Sequence, residues 1–432
     1  MSQANGLDTP AYQPRRAWSI TALIAILMVI NFLDKVVLGL VSVPMMDELK
    51  LTPVQFGLIG GSLHWCYAIA AVAGGFLANR VATRWILLGM GLLWSLVQLP
   101  IVFAESMWLI VGCRVLLGIG EGPATPVATH AVYKWFPNEK RNLPVALIHQ
   151  GSAFGLLIGG LMVPVVTAHW GWRANFLVLA AVGLAWAVLW LIHGAEGNYE
   201  SSPTAAAAPT PQATIPYRRL LHDPTIIANY LSHFGANWIL AVIMTWLPAY
   251  LQKGLGYPAG TSGKMFALFV LITMPLGLAL AWLSQRLLTR GRSSRLGRGL
   301  FIGVCLVLAG ILFAGQLVPG LSASLKFVGL AVGAGLTSVV YSLGPAVLGE
   351  IAPIRQRGAI LSIAIIFSSL AGFLAPLATG FLLQQTGTDN PTGYEYAFLL
   401  AGLISASFGV IGALYINPEK SRKRLLAPGT GY

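Results

Sequence analysis

Two pairs of opposite charges lie inside stretches of sequence that are otherwise apolar. Asp34 and Lys35 come near the end of one such stretch, "VINFLDKVVLGL", and Arg114 and Glu121 lie in another. Seven residues are close to two turns of an α-helix, so Arg114 and Glu121 are expected on one helix face. Carboxylates can load and release protons as their surroundings change, and cations attract anions. The four residues therefore indicate chemistry with protons and anions.

A structural role is the alternative for these charges. Asp34 could pair with Arg114, or Lys35 with Glu121, and such pairs could hold helices together. Buried ion pairs are weak evidence for stability, whereas charge at membrane depth is usually functional. We therefore interpret the four residues as a candidate functional site and keep the ion-pair network as the alternative.

The elements that must position these residues are membrane spans. Of the 432 residues, 56% are hydrophobic and 9% are charged, against about 25% charged in a typical soluble domain. A spanning helix needs about 20 mainly apolar residues. Twelve segments meet this requirement, which predicts an all-α membrane protein: 18–40, 55–78, 85–104, 107–131, 142–168, 172–193, 225–251, 262–288, 298–316, 322–349, 357–384 and 394–416.

Basic residues predict the orientation of the spans. Most of the 27 lysines and arginines lie in alternate connections, on the side that also carries both termini. Because positively charged loops stay in the cytoplasm, we expect cytoplasmic termini and a multi-pass protein of the cell inner membrane. This distribution explains the net charge of +13 without a nucleic-acid partner. The three cysteines lie in apolar spans without metal-ligand spacing, so no metal site is expected.

The chain divides into two similar halves. A stretch rich in alanine, proline and threonine separates six spans from six more and is typical of a flexible linker. In both halves a cytoplasmic turn, Pro137 to Arg141 or Pro353 to Arg357, precedes a helix with small residues at every fourth position. The predicted organisation is a tail at 1–17, a six-helix bundle at 18–193, a linker at 194–223, a second six-helix bundle at 224–416 and a tail at 417–432.

Twelve spans in two halves, with a basic loop after span two, resemble the major facilitator superfamily. The loop "GGFLANRVATRW" contains Gly75, Asn79, Arg80 and Arg84 of the motif that governs conformational change in that superfamily. Asn79 replaces an aspartate of the motif, which weakens one charge interaction expected to latch the halves. The stretches "NFLDK", "RVLLGIGEGPATP" and "TWLPAYL" resemble the anion:cation symporter family, which transports sugar acids, phthalate, tartrate and other organic anions.

This resemblance implies roles for the charged residues. Asp34 and Glu121 match the proton-coupling carboxylates of the sugar-acid symporters, and Arg114 matches an arginine that interacts with the acid. Lys35 stands where the family usually has arginine, and lysine is a compact point charge rather than a planar fork. We therefore expect Lys35 and Arg114 to bind the substrate, in a geometry that differs from that of the relatives.

Other polar residues inside the spans are candidate contacts for the substrate. His64 is interpreted either as a second proton carrier or as a hydrogen-bonded core histidine. The remaining candidates lie in spans two, five, seven, ten and eleven: Tyr67, Gln150, Asn237, Ser342 and Ser369.

The predicted function is import of an organic carboxylate (a sugar acid, an aromatic acid or a small hydroxy or dicarboxylic acid) by proton symport with alternating access. The expected partners are the organic anion, protons and the lipid bilayer, with no cofactor beyond the coupling proton and a monomeric state. The alternative is a proton-coupled exporter of drugs or metabolites. Against it, Leu156 replaces the proline that exporters carry in "GSAFGLLIGG". The sequence contains no HExxH or GxSxG motif, so an enzyme is not expected.

Overall fold

The computed structural model describes residues 13–78, 80–137, 140–197 and 215–426, without the side chains of residues 354 and 355. Asn79, most of the predicted linker and parts of both predicted tails lie outside the described residues.

Within these ranges, twelve helices are long and apolar enough to cross a membrane, which confirms the expected fold class. We number them α1 to α12 and call α1–α6 the first half and α7–α12 the second half. Their bounds are Pro14–Leu40, Pro53–Ala78, Thr83–Val102, Met107–Tyr133, Asn142–Trp170, Arg173–His193, Pro224–Gly254, Ala259–Thr289, Arg295–Leu317, Ala323–Ile351, Gln356–Thr386 and Pro391–Tyr415. Short helices flank them at Ser42–Leu49, Tyr217–Leu221 and Pro418–Leu426.

Two spans of the first half are interrupted, and their interruptions pack together. The α-helical part of α2 stops at Ser62 and resumes at Tyr67, and that of α4 stops at Glu121, just before Pro123. Proline lacks the N–H group that continues a helix. A Cβ atom at Gly118 of α4 would collide with the carbonyl of Leu63, so glycine permits this close approach. The break in α2 also separates His64 from Tyr67, which therefore do not share one continuous helix face.

The two halves contact each other at the end of the molecule that lies away from Pro14 and Tyr415. Gly39, at the far end of α1, packs against the carbonyl of Met244 in α7. Gly57 of α2 packs in the same way against Pro376 of α11. Side chains larger than hydrogen would push these backbones apart, so the glycines allow the halves to close at this end.

At the opposite end, the same capping device occurs in each half. In the first half Glu196 follows α6 and accepts hydrogen bonds from the backbone N–H groups of Thr83 and Arg84, at 3.1 and 2.8 Å, where α3 begins. In the second half Glu419 follows α12 and accepts from the N–H groups of Ser294 and Arg295, where α9 begins. A carboxylate at a helix N-terminus satisfies free N–H groups and complements the helix dipole. The two caps support the duplication predicted from the sequence.

Among the described residues of the basic loop motif, Arg84 forms a hydrogen bond within the first half. The guanidinium of Arg84 donates to the carbonyl of Leu191 at the end of α6, at 3.1 Å. Arg80 is exposed, and a Cβ atom at Gly75 would meet nothing within 4 Å. Arg84 therefore fastens α3 to α6 of its own half.

Glu196 also accepts from the ammonium group of Lys134, at 2.5 Å. Partial burial alone would raise the pKa of this carboxyl, but the bonds from Lys134, Arg84 and Thr83 outweigh it, and the pKa lies below its ordinary value. Because the folded state binds this proton less tightly than the unfolded state, the stabilisation is present at neutral pH and is lost as the pH falls through the folded-state pKa.

We predict that Glu196→Gln lowers the thermal unfolding temperature in detergent at pH 7, because the variant loses the charged cap and the Lys134 pair. The difference from wild type should begin to shrink once the pH falls below the ordinary pKa of glutamate, about 4.3, because the unfolded carboxyl then binds a proton that the folded one resists. Glu105→Gln, at an exposed carboxylate at the other end of the molecule, is the matched control and should have little effect. A Glu196→Gln deficit that is constant from pH 7 to pH 3.5 would contradict this account.

Candidate functional site

The charged residues at membrane depth meet where α1 lies against the break in α4. The Nζ atom of Lys35 is 3.4 Å from Oε2 of Glu121. The Glu121 side chain is 0% exposed, whereas that of Lys35 is 20% exposed. The second of the two ion pairs considered from the sequence therefore forms, and its cation is accessible from one side.

Asp34 has different partners from those expected. Its Oδ1 atom accepts a hydrogen bond from Nε2 of Gln98 at 2.8 Å, and its Oδ2 atom has no hydrogen-bond partner among the described residues. Arg114 donates to the backbone carbonyl of Asp34 at 3.0 Å, and no ion pair between the two side chains is formed in this part of the chain. Arg114 thus orients the backbone of α1 and leaves the carboxylate to Gln98.

Sequence reasoning missed Gln98 and Asn31. Asn31 Oδ1 accepts from the Lys35 ammonium at 2.9 Å, one helical turn away. Both are polar residues at membrane depth, and Asn31 has the i, i+4 spacing to Lys35 that places two residues on one helix face. For Asn31, this spacing was visible in the sequence. For Gln98, only the polarity of "WSLVQLP" in α3 pointed to a buried role.

Two aromatic rings complete the surroundings of Lys35. Its ammonium lies 4.4 Å from the ring centre of Phe32 and 5.5 Å from that of Tyr67. Aromatic faces attract cations and stabilise them more strongly away from water. The structure therefore places Tyr67, a predicted substrate contact, beside Lys35.

His64 lies at the contact between the halves. Its ring packs against Gly372 of α11, where a Cβ atom would collide with it, and lies 5.9 Å from the ring of Tyr67. Nδ1 of His64 is buried without a hydrogen-bond partner among the described residues. Both interpretations of His64, a second proton carrier or a core histidine, stay predictions.

The candidates of the second half form a separate group. Asn237 donates to the carbonyl of Ser368 at 2.6 Å and accepts from the hydroxyl of Tyr341 at 3.1 Å. Ser369 follows Ser368 in the chain and is buried. Ser342 donates to the backbone carbonyl of Val339 in its own helix. No bond links these residues to the four charges within the described chain.

A cavity of 620 Å³ lies between α5, α7, α8 and α10. Gln150 and Ser342 line it, but the four charged residues do not. It reaches Met244, whose carbonyl packs against Gly39, one helical turn beyond Lys35 in α1. One lining residue of the cavity therefore contacts α1 one helical turn from Lys35.

The sequence model of the Major Facilitator Superfamily matches residues 24–314 and 292–431. The chain belongs to this superfamily. It is therefore a membrane transporter and not an enzyme, as predicted.

Two superfamily members with similar sequences are named as transporters of organic acids. A probable sulfoacetate transporter of Cupriavidus necator is 28% identical over 92% of this chain and 93% of its own. The hexuronate transporter of Bacillus subtilis is 29% identical over 89% of this chain and 91% of its own. The predicted resemblance to organic-anion transporters is confirmed.

A solved structure has the same fold. A bacterial homologue of the human lysosomal transporter Spinster, in an inward-facing and occupied conformation, superposes with a TM-score of 0.76 at 17% identity. The match covers 96% of this chain and 98% of the homologue.

We predict that Gln98→Leu destabilises the protein by about 1–3 kcal/mol, because it leaves the buried Asp34 carboxylate without its donor. In an Asp34→Leu background the same substitution should cost much less, since no carboxylate remains to be satisfied. Unfolding of the four proteins in detergent gives this double-mutant cycle. An equal cost of Gln98→Leu in both backgrounds would show that the Gln98–Asp34 bond is not what Gln98 contributes.

Proposed function

We propose that this protein imports an organic carboxylate across the cell inner membrane together with protons, by alternating access. The observation that carries the proposal is the Lys35–Glu121 pair, in which an accessible cation shares its charge with a fully buried acid. The named relatives, transporters of sulfoacetate and of hexuronate, support an organic acid as the substrate.

Lys35 and Glu121 couple substrate binding to protonation, because the substrate carboxylate and Glu121 compete for the same ammonium group. A substrate carboxylate that binds the accessible side of Lys35 weakens the attraction between Lys35 and Glu121. An ionised carboxylate without a partner is costly in a buried site, so Glu121 then takes up a proton. When the substrate leaves, Lys35 again stabilises the ionised Glu121, and the proton is released.

Asp34 provides a second acidic group next to this pair. Its carboxylate has one hydrogen bond, from Gln98, and an unpartnered oxygen among the described residues. Arg114 holds the backbone of Asp34 and so fixes the position of both Asp34 and Lys35. We therefore propose Asp34 as a further proton carrier, with Arg114 as a positioning residue.

The contacts between the halves support alternating access. The halves pack together at the end away from the termini, through close glycine–backbone contacts such as Gly39 with Met244 and through aromatic pairs such as Phe56 with Trp246. With cytoplasmic termini, as the basic loops indicate, this conformation opens inward. Rocking of one half against the other would then expose Lys35 to the opposite side. We propose that a monomer with no cofactor performs this cycle and that it involves no nucleic acid.

The test is uptake of labelled carboxylates by proteoliposomes under an inward proton gradient, with and without a protonophore. Wild type should accumulate its substrate only with the gradient. Lys35→Gln should weaken substrate binding about tenfold or more, since it removes a charged hydrogen-bond donor. Glu121→Gln should still exchange internal for external substrate but should no longer concentrate it.

Glu395→Gln is the control, because Glu395 is a buried acid of the second half that pairs with Lys326, away from the site. It should keep gradient-driven uptake. Concentrative uptake by Glu121→Gln with unchanged protonophore sensitivity would refute the proposed coupling. Efflux of hydrophobic cations without carboxylate uptake would instead establish the exporter.

A further inference from the structure

The walls of the central cavity are largely apolar. Its 620 Å³ volume is within the range of about 300–1,000 Å³ that holds small-molecule ligands. Among its lining side chains are those of Leu156, Leu240, Ile243, Phe269 and Met274, which come from three spans in both halves. A ligand in this space therefore meets aliphatic and aromatic carbon over most of its surface.

Five of the six hydroxyl groups in the cavity wall donate hydrogen bonds within the protein, and the sixth is that of Ser152. Four of the five donate to a carbonyl three residues earlier in the chain, and the fifth donates to Asn237: Thr273 to Val270, Thr337 to Ala334, Ser338 to Gly335, Ser342 to Val339, and Tyr341 to the side chain of Asn237. A ligand with many hydroxyls needs several free donors and acceptors. Each hydroxyl left unpaired in a dry cavity weakens binding.

Side-chain donors that remain free in the wall are confined to one span. Among the described lining residues with a polar side chain, those without a hydrogen bond within the protein lie in α5: His149, Gln150 and Ser152. The hydroxyl oxygens of the second half can still accept a hydrogen bond, but their protons are already used. The second half therefore offers a ligand acceptors without free hydroxyl donors, in a surface that is mostly carbon.

The positive charge lies in the first half, on α1, whose Gly39 contacts the cavity-lining residue Met244. Lys35 is 20% exposed, and the cavity reaches Met244, which packs one helical turn beyond Lys35. Phe32 and Tyr67 flank the ammonium. The combined site is charged at one end and apolar at the other.

We infer that the transported acid is a monocarboxylate with a compact apolar body, such as an aryl- or cycloalkanecarboxylate, and not a hydroxyl-rich sugar acid. The inference rests on the proposed function, since it specifies the part of the transported acid that lies beyond the carboxylate bound to Lys35. The carboxylate lies at Lys35, and the ring lies against the walls formed by α5, α7 and α8.

The test compares two ligands that share a six-membered ring and a carboxylate. Cyclohexanecarboxylate has a bare ring, whereas glucuronate has a ring oxygen and hydroxyls. We expect purified wild-type protein to bind cyclohexanecarboxylate about tenfold or more tightly than glucuronate in calorimetric titrations. Cyclohexylmethanol, which lacks the carboxylate, measures non-specific partitioning and should bind much more weakly than the acid.

A substitution in the wall locates the ligand. Leu240→Asn places an amide in the cavity and should reduce the preference for cyclohexanecarboxylate about tenfold, because it weakens apolar contact and offers a partner to hydroxyls. Leu268→Asn is the matched control, since Leu268 is similarly exposed, at 43% against 37%, but does not line the cavity. If Leu240→Asn fails to fold, Met274→Gln makes the same change from α8.

The outcomes separate this inference from the proposed function. Equal or tighter binding of glucuronate, together with its gradient-driven uptake, would overturn the inference and leave carboxylate symport intact. A preference for cyclohexanecarboxylate that neither wall variant changes would also overturn it, because the ring would then lie elsewhere. If proteoliposomes take up neither acid nor any other carboxylate, both the inference and the proposed function fail.

Discussion

The ion pair between Lys35 and Glu121 is the interaction on which the rest of the site depends. It joins α1 to α4 in a setting where neither charge has bulk water on all sides, and Glu121 has none. Charge at this depth persists only when partners compensate for the lost solvation. Asn31, Phe32 and Tyr67 supply that compensation for Lys35. Glu121 has little besides Lys35, and so its charge state is sensitive to what Lys35 binds.

Helix interruptions lie beside this pair. Lys35 lies within the regular helix α1, and Glu121 is the last residue of the first regular part of α4. The break in α2 lies against α4 through the close contact of Gly118 with Leu63. Irregular backbone is tolerated at membrane depth where it is buried in protein. Beyond this break, Tyr67 begins the next helical part of α2, and its ring lies beside Lys35.

The two halves have complementary chemistry in spite of their common architecture. Both use a carboxylate, Glu196 or Glu419, to cap the third helix of the half. The four charges, however, all lie in the first half, whereas apolar residues of the second half form most of the cavity. In the proposed binding mode, charge holds a ligand on one side and apolar contact holds it on the other. Relative motion of the halves therefore changes both interactions together.

The sequence by itself determined the number of spans, the superfamily and the four charged residues. The thickness of a bilayer sets the length of each apolar run, and charge inside such a run is conspicuous because it is costly. The Lys35–Glu121 contact was one of two alternatives, and it rested on the superfamily resemblance, which makes spans one and four neighbours. The number of spans and the positions of the four charges need no such comparison. These features depend on local composition and spacing, which are present in the chain before it folds.

Only the tertiary structure decided which partners these residues have. Gln98 binds Asp34 across 64 positions of sequence, and Arg114 binds the backbone of Asp34 instead of its carboxylate. The cavity is likewise assembled from four spans of both halves, and five of the six hydroxyls in its wall donate within the protein. Spacing within one helix predicts its faces, but it does not specify which neighbouring helix meets each face. That choice follows from the packing of all twelve spans, which no single stretch of sequence encodes.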